Sequence, residues 1–154
     1  MIKRILAAIL TVLAISAIFA SCGEAVTLDV EVAADALHSN ITYEDDMQVL
    51  DSSMLVTTYP ELKTEDVVKS KVYTSLAATT EEIAVFEAKD AEAADRIEAA
   101  MKARVTAQKE LYESYAPGEA ARVEKAVIVK KGNYVVFCVA GDPAKAQSEI
   151  DKLF

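Results

Sequence analysis

The sequence predicts an α+β fold: a four-stranded antiparallel sheet made of two hairpin-helix units, helices packed on one face, plus an N-terminal helix. Three observations predict it. Ile83-Ala84-Val85-Phe86 is followed by Asp90 and a helical pattern, and Tyr134-Val135-Val136-Phe137 repeats this arrangement before Asp142. Gly132-Asn133 lies between two apolar runs, and both residues tolerate the positive φ that a two-residue hairpin turn demands. The segment after Asp90 carries an apolar stripe at spacings of three and four, the mark of an amphipathic helix. Two hairpin-helix units can share one sheet with their helices on the same side.

The chain opens with Lys3 and Arg4, then an apolar run from Ile5 to Ala20, then Ser21 and Cys22. A positive start, an apolar middle and small residues before a cut make a secretory signal. The run of about 16 residues is short for a membrane-spanning helix, which needs roughly 20. Phe19-Ala20-Ser21-Cys22 resembles the end of a bacterial lipoprotein signal peptide, with Phe19 where leucine is usual. The resemblance implies removal of residues 1–21 and a diacylglycerol on the Cys22 sulfur. A plain secreted protein and an uncleaved N-terminal anchor are the alternatives. Two acyl chains suffice for stable anchoring, since each buried methylene contributes about 0.8 kcal/mol. Residues 22–27 form the lipidated tether, and 28–154 form one domain. At about 3.5 Å per extended residue the tether reaches roughly 20 Å, so the domain is expected close to the bilayer.

Val30, Ala34, Leu37 and Ile41 recur at helical spacing, with Asp29 as cap and Asn40 as stop; Val26, Leu28, Val30 and Val32 also alternate like a strand, and the alanine-rich continuation favours helix. Residues 41–66 are less regular. Asp51 can cap a short helix through Thr58, closed before Tyr59-Pro60 because the residue before proline avoids the helical region. Val68, Val72 and Leu76 share one face of the first strand. The second runs from Glu82 to Lys89, with Ile83 and Val85 on one face and Ala84, Phe86 and Ala88 on the other. Asp90 caps a helix to about Tyr115, with Ile97, Met101, Val105, Gln108, Tyr112 and Tyr115 inward, and Pro117-Gly118 ends it. A short helical piece is expected at 119–125. The third strand is 126–130. The fourth, 134–140, is apolar on both faces and therefore central. Asp142-Pro143 opens the last helix, which buries Ala146, Ile150, Leu153 and Phe154.

Glu82-Ile83-Ala84-Val85-Phe86-Glu87-Ala88-Lys89-Asp90 and Lys131-Gly132-Asn133-Tyr134-Val135, separated by a helix with Arg104 and Gln108 and then Tyr115 and Pro117, resemble a family of small bacterial lipoproteins. The family is domain of unknown function 4358. The resemblance implies export, a lipid anchor and an α+β domain. It supplies no activity, cofactor or catalytic residues.

Charge narrows the partners. Without Lys3 and Arg4 the chain keeps 14 basic against 25 acidic residues, a net charge of −11. Such a surface repels phosphate backbones and anionic head groups, so no nucleic acid is expected, and attachment must come from the lipid. Once Cys22 is lipidated, Cys138 stands alone in an apolar run and reads as a buried, inert thiol.

No catalytic and no metal site is expected, and no cofactor. Glu44-Asp45-Asp46, with Asp51, is a dense acid cluster, but it lacks the spacing of a calcium loop. His38, the single histidine, cannot build a zinc site and reads as a surface or capping residue. Thr79-Thr80-Glu81-Glu82 and Ser52-Ser53 read as loops and caps, and no glycine cluster forms a phosphate loop. Arg104 and Gln108 lie near the inward stripe; they either contact a ligand carboxylate or tie the helix to the sheet. Tyr112 and Tyr115, with Tyr134, either line a shallow aromatic patch or pack in the ordinary way.

The expected function is that of a lipoprotein at the extracytoplasmic face of the cell membrane, a non-catalytic binding or accessory domain for a protein or cell-wall partner. The alternatives are a cell-envelope hydrolase using a carboxylate pair drawn from Glu44, Asp45, Asp46 and Glu87, and an assembly factor for a membrane complex.

Overall fold

The computed structural model describes residues 26–154; Cys22, the signal segment and most of the tether lie outside the described residues. The elements are α1 (Val30–Asn40), β1 (Met47–Val49), α2 (Leu55–Thr58), β2 (Val67–Ser75), β3 (Glu82–Ala88), α3 (Ala91–Tyr112), α4 (Pro117–Val123), β4 (Val127–Lys131), β5 (Tyr134–Val139) and α5 (Pro143–Asp151). Single 3-10 turns precede α2 and β2. No described helix is long and apolar enough to cross a membrane.

The helix starts follow local chemistry. The Asp29 carboxylate accepts from the Glu31 and Val32 amides, Asp90 from Ala93, and Asp142 from Ala144 and Lys145. Each carboxylate satisfies amides that a helix start leaves without partners. Asp51 does the same for Ser53. At the β4–β5 turn Gly132 alone takes a positive φ, of 59°, and Asn133 does not. That is the pattern with glycine at the first central position.

The sheet has five strands, not the four expected, in the order β1-β2-β3-β5-β4, all antiparallel. The extra strand is β1, which pairs Met47 with Ser75 and Val49 with Tyr73. Three residues are too few to show a period of two, so alternation could not reveal it.

The placement of the helices is a second correction. α3 and α5, expected on one face, cover opposite faces, and α1 joins α5. Ala84, Phe86, Val135 and Phe137 point toward α3, where they meet Ile97 and Met101. Ile83, Val85, Val136 and Cys138 point the other way, toward α1 and α5, where they meet Leu37, Ala146 and Ile150. β3 and β5 are apolar at successive positions, so each face needs its own cover. The first face is filled by α3, α4 and the 55–62 segment, which leaves the second to α1 and α5. Of the first strand's expected face, Val72 is buried, whereas Val68 and Leu76 are exposed near the strand's two ends.

Glu149 joins two helices of the second layer. It accepts from Lys145 and Lys152 at 2.6 Å each, and Asn40 of α1 reaches it at 3.5 Å. The two ammonium groups hold its carboxyl down, from 4.5 to about 2.

Candidate functional site

A groove lies beside α3. One wall is the segment from Thr57 to Glu61; the other is Ala100, Ala103 and Ala107 of α3. Alanines leave the space open, because a methyl group cannot span the gap between helix and segment. The groove holds about 260 Å³. It continues past Ala99 and Ala103 into a shallower hollow of about 350 Å³, bounded by Glu61, Lys63 and Arg96.

Tyr59 anchors the first wall. It is buried, with its ring edge-on to Phe86 at 5.8 Å and 81°. Such a pairing adds roughly 0.5–1.5 kcal/mol beyond the area buried. Pro60 stops α2, so the chain turns there and follows α3 as a strap.

Tyr59 and Arg104 form the floor, and a buried carboxylate lies beneath them. Glu82 begins β3; its Oε1 accepts from the Tyr59 hydroxyl at 2.7 Å, and its Oε2 accepts from Arg104 Nη2 at 2.8 Å and Nε at 3.3 Å. The glutamate side chain is 3 % exposed and the arginine 22 %. The guanidinium also lies 5.6 Å from the Tyr59 ring centre. Burial, and then the Glu82 charge, push the Tyr59 phenol well above its ordinary range, so it stays a neutral donor. Gln108 completes the cluster. With its amide oxygen toward the guanidinium it accepts from Arg104 Nε at 3.0 Å, the orientation that avoids setting donor against donor.

The outer hollow has a similar base. Asp66, 2 % exposed, takes Arg96 in a two-pronged pair, Nε to Oδ2 at 2.7 Å and Nη2 to Oδ1 at 2.8 Å. Lys89 adds a contact at 2.8 Å. These cations, Arg96 first, hold the Asp66 carboxyl well below the usual range. Asp66 and Glu149 therefore share one pH dependence. A carboxylate whose pKa is lowered by folding stabilises the fold fully above its unfolded value and loses that contribution as pH falls through the folded one. The urea midpoint is expected to be flat above about pH 5 and to fall steadily between about 4.5 and 2. Glu149→Gln should flatten part of that slope, as an unfolding series across pH would show.

The structure brings Arg104 and Gln108 together, Arg104 lining the groove and Gln108 buried beside it. Tyr112 and Tyr115 lie elsewhere: their rings face one another at 5.1 Å beyond the groove, Tyr115 exposed and the Tyr112 hydroxyl reaching the Thr79 carbonyl at 3.5 Å. Tyr134 sits in the opposite core layer, so the three tyrosines form no common patch.

The acid cluster is spent on folding its own loop. The Glu44 and Asp45 amides donate to buried Glu81 at 3.0 and 3.2 Å. The Glu44 carboxylate pairs with Arg122, and Asp45 accepts from the Ser75 hydroxyl at 2.6 Å and the Ala77 amide at 2.7 Å. Glu87 is six residues along the chain from Glu81, roughly 20 Å in extended backbone, so it does not join the acids of the 44–46 loop. Thr80 donates to Glu119 through its amide and its hydroxyl. His38 stacks on Tyr73 at 4.4 Å. Burial pushes the Cys138 thiol up to about 11. Among the described residues no group of three or more His, Cys, Asp or Glu could hold a metal ion.

Sequence reasoning singled out Arg104 and Gln108 but missed Tyr59, Glu82, Asp66 and Arg96 as partners. A glutamate directly before the apolar run Ile83–Phe86 was the one available signal for Glu82.

Residues 39–140 match the model of a family described as a domain of unknown function (DUF4358). That span contains all five strands, the groove and its floor. No curated protein and no solved structure matches the chain.

Proposed function

The chain belongs to the DUF4358 family, and on that premise we propose that it is a non-catalytic binding domain, held at the extracytoplasmic face of the cell membrane by a lipid on Cys22. The groove beside α3 carries the binding part of this reading. Its polar floor is already charge-balanced, Arg104 against Glu82, which suits recognition better than proton transfer. A preformed concave surface with a few placed polar groups is the usual form of a binding site.

The sequence before Cys22 supports the anchor, and the fold supplies an orientation. Val26 lies beside the Gly132 turn, where a side chain on that glycine would meet it at 3.6 Å. Three residues lie between it and Cys22, a reach of about 14 Å at full stretch. The β4–β5 turn would then face the bilayer. The end of β3 lies beside that turn, since the Ala88 amide donates to the Asn133 carbonyl at 2.7 Å. α3 begins three residues later, so the groove runs outward from the membrane with Arg96 nearer than Arg104.

Detergent-phase partition of the expressed full chain tests the anchor. Wild type is expected in the detergent phase and Cys22→Ala in the aqueous phase. Equal partition of the two would refute the lipid.

A further inference from the structure

The groove differs in charge from the rest of the molecule. Without Lys3 and Arg4 the chain carries −11, yet the charged side chains lining the groove and its hollow are Lys63, Arg96 and Arg104 against Glu61 alone. Arg96 and Arg104 have acidic partners, but those partners lie beneath them. Asp66 and Glu82 are 2 % and 3 % exposed, whereas Arg96 and Arg104 are 42 % and 22 % exposed. A ligand in the groove therefore meets guanidinium edges before it meets their counter-charges.

Both guanidinium groups spend Nε and Nη2 on the buried acid. The Nη1 group of each, two N–H donors, makes no bond among the described residues. The two arginines are eight residues apart on α3, about 12 Å along its axis. An extended peptide places side chains four residues apart on one face, separated by about 13 Å. The groove is bounded by a strap on one side and a helix surface of alanines on the other, which fits a narrow extended chain better than a helix about 10 Å wide.

We propose that this groove binds an extended acidic peptide segment, with carboxylates four residues apart seated on the Nη1 groups of Arg96 and Arg104. The proposal rests on the reading of the groove as the binding surface and names what it takes. Thr57 and Thr58 add hydroxyls for the peptide backbone, and the surrounding negative surface disfavours acidic chains anywhere else on the domain.

The test uses the full chain in nonionic detergent and two fluorescent peptides of about five residues, one with glutamates at both ends and one with glutamines there instead. Anisotropy should show the glutamate peptide binding at least about tenfold tighter, the size expected for one charge-assisted hydrogen bond. Ala103→Glu and Ala107→Glu each place an acid in the groove and replace no member of either ion pair. Each should weaken binding at least about tenfold, with circular dichroism unchanged from wild type. Lys130→Gln, on β4, where the lysine pairs with Asp95 and Glu98 of α3, should bind like wild type. No saturable binding of the glutamate peptide overturns the proposal, and so does unchanged binding in both alanine variants, which puts the site elsewhere. Equal binding of the two peptides, lost in the alanine variants, overturns the preference for acid and leaves the groove standing as a binding surface.

Discussion

Arg104→Leu is expected to destabilise the domain by about 3–5 kcal/mol at neutral pH, read from urea unfolding. The cause is the carboxylate left behind. Glu82 is 3 % exposed, and without the guanidinium it keeps only the Tyr59 hydroxyl at 2.7 Å as a close donor. An uncompensated buried charge is costly, whereas removing both members of a pair can be nearly neutral. The double variant Arg104→Leu with Glu82→Gln should therefore be more stable than Arg104→Leu alone. Additive losses in that cycle would show that the pair does not couple. The expected loss is a large share of a typical domain stability of about 5–15 kcal/mol, so the single variant would be near its folding limit.

Phe86→Ala should cost a similar amount, about 3–5 kcal/mol. Phe86 is wholly buried at the centre of the first core layer, on the middle strand of the sheet. Its removal leaves a cavity under Tyr59 and takes away the edge-on ring contact that fixes the groove wall. Hydrogen exchange at the Tyr59 and Leu62 amides, which donate to the Leu55 and Tyr59 carbonyls at 2.8 and 2.9 Å, should quicken in step. Val68→Ala is the control. Val68 is 62 % exposed, and its loss should change stability by less than about 0.5 kcal/mol. If Phe86→Ala matched that control, the first layer would not be the close-packed core described here.

Much of the fold was legible because it obeys rules of short range. Asp29, Asp90 and Asp142 cap helices through amides two or three residues on. The faces of β3 read correctly from alternation alone: Ile83 and Val85 lie in one layer, Ala84 and Phe86 in the other. The interior position of β5, paired on both sides, followed from its apolar residues on both faces. β1 was not legible, being too short for a period, and its place at the sheet edge depends on the far end of β2.

The site was legible only in half. Arg104 and Gln108 stood out as polar residues lying near the inward stripe of a helix. Their partners did not: Glu82 is 22 residues from Arg104, and Asp66 is 30 from Arg96. The sequence by itself determined which residues turn inward on β3 and β5 and along α3 as far as Gln108, though not Tyr115, which is exposed beyond the helix end, and where the helices start, because pleat, helical period and capping act within a few residues. Tertiary structure alone decided that the helices divide between two faces, that Glu82 and Asp66 are buried beneath arginines, and that a groove opens over them. Ion pairing across distant segments has no period, and the partner of a buried charge is set by which surfaces pack together.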